Sequence, residues 1–281
     1  MFAAPFDYYR PKSVNEAVKM LKKVKGARVL AGGHSLIPAM KLRLAAPAAL
    51  IDIGRIEELT RIRSKKGELR IGALATHASV AASKDVQKMC PVLAATAAQI
   101  GDLQVRNRGT IGGSVAHADP GADYPTVLLL LDATFRTANG KEREIPAHKF
   151  FVDLFTTALK SNELLTEVTV EPYDGAAVYL KHRHPASSFA VVGVAAMASV
   201  KGGKFSEVRV SVGGVTATPV RATEVEKALK GQPVSAIAKA AGLVSKALDD
   251  PLSDSYASGD FRVHLATVMT TRALTELASK A

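Results

Sequence analysis

Cysteine, tryptophan and aromatic rings are scarce in this chain. Cys90 is the only cysteine among 281 residues. That excludes a disulfide framework, and it excludes an iron–sulfur cluster or thiolate zinc site built from this chain alone. No apolar run approaches the ~18 residues that would suggest a transmembrane helix. The segment Met1 to Arg10 lacks a basic stretch followed by an apolar one. No secretory leader is therefore expected, and a reducing, cytoplasmic compartment is. Tryptophan is absent and aromatic residues make up 5%. With no zinc-finger, ribonucleoprotein or basic-zipper pattern either, nucleic acid is not the expected partner.

Apolar residues and positive charge are plentiful. Hydrophobic residues make up 47%, and mean hydropathy is +0.10, enough for a substantial core. Lys plus Arg number 37 against 26 acids, a net charge of +11. Such a field suits an anionic cofactor, an acidic partner or peripheral contact with an anionic membrane, and equally a solvated basic surface. The tightest basic cluster, Lys19 to Arg28, falls mostly on an amphipathic helix.

The first half reads as alternating strands and helices. Ser13 and Glu16 form a capping box ahead of Val14, Ala17, Val18, Leu21 and Val24, with Gly26 as the stop. Strands are predicted at 28–31, 49–53, 69–75 and 133–137. Helices are predicted after Thr76, over 91–100 and over 120–131. The second half predicts strands over 163–171, 176–182, 190–200 and 208–215. Helices then follow at 223–229, 234–248 and 261–279. Strands followed by helices indicate an α+β module with an antiparallel sheet. The change of texture near Pro172-Tyr-Asp-Gly175 marks a domain boundary.

Two glycine segments carry the chemistry. Gly32-Gly33-His34-Ser35 leaves a strand, and Thr110-Ile111-Gly112-Gly113-Ser114 follows a basic lead-in. A single Gly-Gly pair is more simply a tight turn. Two of them, each ending in a hydroxyl, can converge backbone N–H groups on a pyrophosphate from two sides. Neither fits the dinucleotide fingerprint or the nucleotide triphosphatase P-loop. A pyrophosphate cofactor held outside a Rossmann unit remains. His77 and His117 have no acid or cysteine at ligand spacing, so no metal site is expected. Cys90 reads as a packed small residue.

Ala31-Gly-Gly-His-Ser-Leu-Ile-Pro38, Thr76-His77-Ala78 and Arg106-Asn-Arg-Gly-Thr-Ile-Gly-Gly-Ser-Val-Ala-His-Ala-Asp-Pro120 together resemble the FAD loops of the molybdenum hydroxylase flavoproteins. The pattern is most similar to the medium subunit of aerobic carbon monoxide dehydrogenase, with the xanthine dehydrogenase flavin domain a more distant cousin. The resemblance spans essentially the whole chain.

It implies a two-part FAD domain of the vanillyl-alcohol oxidase and p-cresol methylhydroxylase type over 1–175, with subdomains of about 1–55 and 56–175. A smaller C-terminal domain with a three-stranded antiparallel sheet and helices would occupy 176–281. Carried over by position, Ala31, Gly32, Gly33, His34, Ser35 and Leu36 would hold the pyrophosphate with Thr110, Ile111, Gly112, Gly113 and Ser114. At His34 the backbone would matter more than the ring. Ile100 would sit near the adenine, and Asp123 would contact the cofactor or serve as a helix N-terminal acid. Leu165 and Lys181 match positions near the flavin, though Lys181 also reads as a solvated strand lysine. Phe189 would lie beside the isoalloxazine. Ser188 departs here, since many relatives carry an acid at that point.

The implied function is electron transfer. FAD would receive electrons from two-iron two-sulfur clusters and pass them to an external acceptor. Those clusters would sit on a small partner subunit and molybdopterin on a large one, in a dimer of heterotrimers. No catalytic residue is expected on this chain beyond the flavin. A stand-alone flavin oxidoreductase and a cofactor-free binding protein are the alternatives.

Overall fold

The computed structural model describes residues 2–173 and 175–280. A helix, Val14–Lys23, and a three-stranded parallel sheet open the fold. Ser13 Oγ accepts the Glu16 N–H at 3.2 Å, as a capping box requires. The reciprocal bond goes one residue further back, from the Lys12 N–H to Glu16 at 2.7 Å. The sheet runs Asp7–Tyr9, Ala49–Asp52, Ala27–Leu30. Its first strand is short and largely exposed, so it left no hydrophobic alternation in the sequence. The first glycine segment leaves the carboxyl end of Ala27–Leu30, where parallel sheets present ligands.

Five antiparallel strands follow, ordered Ile62–Lys65, Glu68–Gly72, Leu164–Val170, Thr134–Ala138, Glu142–Pro146. One face buries Leu69, Ile71, Phe135 and Val168 against helices of the intervening chain. The helix Asp123–Leu130 is buried at every position and so shows no amphipathic stripe. It starts three residues later than predicted. The Gly121 N–H bonds the Asp119 carboxylate at 2.9 Å and spends Pro120–Ala122 on a turn. Pro125 is tolerated because it lies in the first helical turn, whose N–H groups have no intrahelical acceptor.

The C-terminal sheet joins Ala176–Arg183, Ala190–Lys201 and Lys204–Gly213, all antiparallel, with a two-residue fourth strand at Val220–Arg221. The long helix Gly259–Ser279 packs on it, burying Ala266, Met269, Ala273 and Leu274. The single helix expected over 234–248 is instead three pieces. A 3-10 turn at Val234–Ala236 leads to the α-helix Ile237–Ala241 and a second 3-10 stretch, Gly242–Ala247. Gly242 sits at the second break, and glycine is among the weakest helix formers.

Candidate functional site

The first glycine segment is shaped by backbone contact. A Cβ on Gly32 would collide with the carbonyl of Arg108, so this residue must be glycine for the two segments to touch. Gly33 has φ +80°, the left-handed region that glycine enters without strain. Among the described residues, none of the N–H groups of Gly32, Gly33, His34, Ser35 and Leu36 finds a backbone acceptor. Ser35 precedes the helix Leu36–Lys41, and its hydroxyl makes no cap bond. His34 and Ser35 are exposed, and the His34 ring returns to its own loop, Nδ1 lying 3.2 Å from the Gly32 carbonyl.

The second glycine segment is a helix rather than the loop expected. Thr110 caps Ile111–His117, its hydroxyl accepting the Gly113 N–H at 3.1 Å. The Ile111 and Gly112 N–H groups donate to Ala75 and Ala73 carbonyls at 3.0 and 2.9 Å. Gly112 lacks a side chain because its Cβ would strike Ala73. Gly113 differs. It is exposed, and a Cβ there would meet Thr110 Oγ1 at 2.8 Å and Ala31 Cβ at 4.0 Å. The open donors therefore come chiefly from the first segment. The second contributes the half-buried Ser114 hydroxyl and the space that Gly113 leaves beside Ala31, the first N–H groups of its helix being already paired.

His77 braces Gly109, the stretch of backbone on which Gly32 packs. Its N–H donates to the Gly109 carbonyl at 3.0 Å, and a Cβ on Gly109 would meet His77 Nε2 at 2.5 Å. Burial, helped by the charges of His34 and Arg106, pushes the imidazole down to about 4, so it is neutral at physiological pH. Among the described residues, neither the buried His77 Nδ1 nor the buried Tyr124 hydroxyl has a hydrogen-bond partner, and their rings lie 5.3 Å apart. Among the described residues, no group of three or more His, Cys, Asp or Glu is placed to hold a metal.

A second cluster lies past the far end of Ile111–His117. Asp123 Oδ2 pairs with Lys181 Nζ at 2.9 Å, and Asp123 Oδ1 accepts the Tyr179 hydroxyl at 2.6 Å. The two charged side chains are 5% and 1% exposed, which removes the reading of Lys181 as solvated. Burial raises the Asp123 carboxyl despite Lys181 and Tyr179, and burial lowers Lys181. Lys181 also donates to the Gln99 carbonyl at 3.3 Å, as does Arg183. Beside Gln99, the half-buried Ile100 packs on the main core, and its carbonyl accepts Arg106 at 3.0 Å. Phe189 is 43% exposed and leans over Gly121, where a Cβ would sit 3.3 Å from its ring. Leu165 joins neither cluster, because its side chain is inside the main core.

Tyr179, Gln99 and Arg106 were not anticipated as site residues. Tyr179 was within reach, since residues 179 and 181 of one strand share a face. The carbonyl of Gln99 carries no sequence signal.

These residues fit FAD. Among the described residues, N–H groups without a backbone acceptor gather on the first glycine segment, as a pyrophosphate needs, and Phe189 offers an exposed aromatic ring for a flavin. Comparison with known proteins gives the same result. Residues 4–172 match the FAD binding domain in molybdopterin dehydrogenase, and residues 177–277 match the CO dehydrogenase flavoprotein C-terminal domain. The glyceraldehyde dehydrogenase medium chain of Sulfolobus acidocaldarius is 36% identical, over 99% of this chain and 100% of that one. The carbon monoxide dehydrogenase medium chain of Hydrogenophaga pseudoflava is 37% identical, over 98% and 97%. The solved carbon monoxide dehydrogenase of Hydrogenophaga pseudoflava lacking the Mo-pyranopterin moiety superposes with TM-score 0.96 at 37% identity, covering 100% of both chains. Quinoline 2-oxidoreductase from Pseudomonas putida 86 gives TM-score 0.96 at 33% identity, covering 100% and 99%. With both of its parts matched and relatives aligned end to end, the chain belongs to the FAD-binding medium-subunit family of the molybdopterin dehydrogenases.

Proposed function

We propose that this chain is the FAD-binding, electron-transferring subunit of a molybdenum hydroxylase complex. The observation that carries the reading is the meeting of the two glycine segments. Gly32 packs on the Arg108 backbone, and Gly113 opens toward Ala31. Gly32 to Leu36 would hold the FAD pyrophosphate through N–H donors and the Ser35 hydroxyl, with the Ser114 hydroxyl beside them and Gly113 leaving the space. Phe189 would cover the ring system, and Asp123 with Lys181 would wall the site between them. FAD supplies the two-electron chemistry when bound, and the chain supplies binding, orientation and exclusion of water.

One cysteine cannot hold the clusters that feed such a flavin, so they belong to a partner. The partners are a small iron–sulfur subunit and a large molybdenum subunit, assembled as a dimer of heterotrimers in the cytoplasm. The chain divides into a flavin domain ending near residue 175 and a C-terminal domain from 176. Substrate choice rests with the large subunit. The test is composition. The purified chain should carry one FAD and neither iron nor molybdenum, and the complex from its native host should carry all three. A native complex without molybdenum overturns the reading, as does a chain that binds no FAD.

A further inference from the structure

The turn that presents Phe189 is built around a histidine. We propose that His184 is a positioning residue for the flavin site, its Nδ1 lone pair fixing the turn 185–189 and so the placement of the Phe189 ring. The inference rests on the reading that FAD lies here with Phe189 against its ring system.

The bonding runs as a closed circuit. The His184 N–H donates to the Phe189 carbonyl at 2.8 Å, and the Ser188 N–H donates to the His184 carbonyl at 2.9 Å. Inside that circuit His184 Nδ1 lies 3.2 Å from the Ala186 N and 3.4 Å from the Ser187 N. Both partners are N–H donors, so Nδ1 must carry the lone pair and the ring proton sits on Nε2. The imidazole does what an Asn or Asp side chain does when it caps its own turn. The help is needed, because Ser188 has φ +62°. A residue with a Cβ enters that region under strain, and bonds on both sides must hold it there.

The turn is also braced from outside. The Tyr256 ring packs on His184 with centroids 4.6 Å apart. Asp254 fixes that segment, accepting the Tyr256 and Ala257 N–H groups at 2.8 Å each and Arg262 Nη2 at 2.6 Å. Arg262 is buried, and its Nη1 donates to the Val191 and Gly214 carbonyls at 2.7 Å each. On the other side, the Ala190 N–H is held by the Gly121 carbonyl at 3.0 Å. The chain flanking Phe189 is thus tied to the long C-terminal helix and to the turn before Asp123. The ring itself remains exposed. An exposed aromatic on an immobilised turn is pre-organised for stacking, since little freedom is left to lose when a ligand arrives.

The experiment compares the FAD-loaded full chain with Phe189→Ala, His184→Phe and His184→Asn, using visible circular dichroism of the bound flavin at matched FAD content. Phe keeps the ring packed on Tyr256 but removes the acceptor, while Asn restores an acceptor at the same turn. The expected result is that Phe189→Ala alters the flavin signal, His184→Phe reproduces that alteration, and His184→Asn retains the parent signal. If His184→Phe folds poorly, His184→Ala takes its place with the same expectation. A parent-like signal in the acceptor-free variant, while Phe189→Ala is altered, overturns the role of His184. Equal disturbance by Phe and Asn overturns it too, since then the lone pair is not what matters. An unaltered signal in Phe189→Ala refutes the placement of FAD against Phe189, and the proposal falls with it.

Discussion

Replacing Lys181 by methionine isolates the buried ion pair at the domain seam. The substitution removes the ammonium 2.9 Å from Asp123 and leaves a carboxylate that is 5% exposed on its side chain. An uncompensated buried charge is strongly destabilising, by about 3–5 kcal/mol when one partner of such a pair is removed. The protein can limit the loss by protonating Asp123. Neutralising an ordinary aspartate of pKa about 3.9 at pH 7 costs about 4 kcal/mol, so this sets the ceiling on the charge penalty. Burial already raises Asp123 in the parent, which makes the figure an upper bound.

The sign follows from linkage. In the variant the folded-state pKa of Asp123 lies above its unfolded value. Measured against the parent, whose own Asp123 is already raised, the penalty opens above the parent's folded-state pKa and grows by up to about 1.4 kcal/mol per pH unit. Urea denaturation of the FAD-free chain at pH 5 and pH 7, each against the parent, reads this directly. The penalty should be larger at pH 7 by up to about 2.7 kcal/mol. Asp123→Asn combined with Lys181→Met keeps an acceptor for Tyr179 and removes the charge, so it should recover stability at pH 7 and show little pH dependence. A penalty equal at both pH values, or a double variant no better than the single, refutes the reasoning.

Gly33→Val places a branched Cβ where φ is +80° and where even a bare Cβ would lie 2.7 Å from Ile37. Folded but flavin-poor protein is expected, read by absorbance against protein concentration. Gly113→Val should act likewise, by filling the opening toward Ala31. Cys90→Ala should leave metal and flavin content unchanged by elemental analysis and absorbance, because the thiol is fully buried and burial pushes it up to about 12. At Glu163 burial works to raise the pKa, but Arg143, the Lys160 N–H and the Thr137 hydroxyl outweigh it and hold it at about 2. Solvent reaches the pair through Arg143, whose side chain is 41% exposed, so this contributes at most about 3 kcal/mol, present above pH about 4.5 and lost as pH falls through about 2. Glu163→Gln should remove that contribution in a denaturation series run from pH 7 to pH 3.

The parts of the fold that read from sequence are those with local signals. Ser13 announced the first helix, Thr76 the helix His77–Ala82, and long apolar runs the strands Ala190–Lys201 and Leu164–Val170. The misreadings have long-range causes. Thr110-Ile-Gly-Gly reads as a loop because two glycines disfavour a helix. It is a helix because Ala73 and Ala75, distant in sequence, accept the N–H groups of Gly112 and Ile111. Gly112 serves that contact, giving way to Ala73. Gly112 is thereby accounted for by packing, whereas sequence pattern alone credits both glycines to the cofactor.

Lys181 makes the opposite case. On the strand Ala176–Arg183 it alternates with residues of the C-terminal sheet's own core, so it reads as the solvated face. That face is instead covered by the first domain, which supplies Asp123 and the Gln99 carbonyl. Tyr179, on the same face, packs in the core that also contains Leu128 and Phe135. A charge buried at such a seam has its partner where the other domain places one, and no spacing within either half encodes it. The pair holds Lys181 and Asp123 against each other, so the ammonium presents little net charge to a neighbouring ligand. Lys181 is thereby part of a rigid wall between two domains. This is why the decisive measurement on Lys181 is stability as a function of pH.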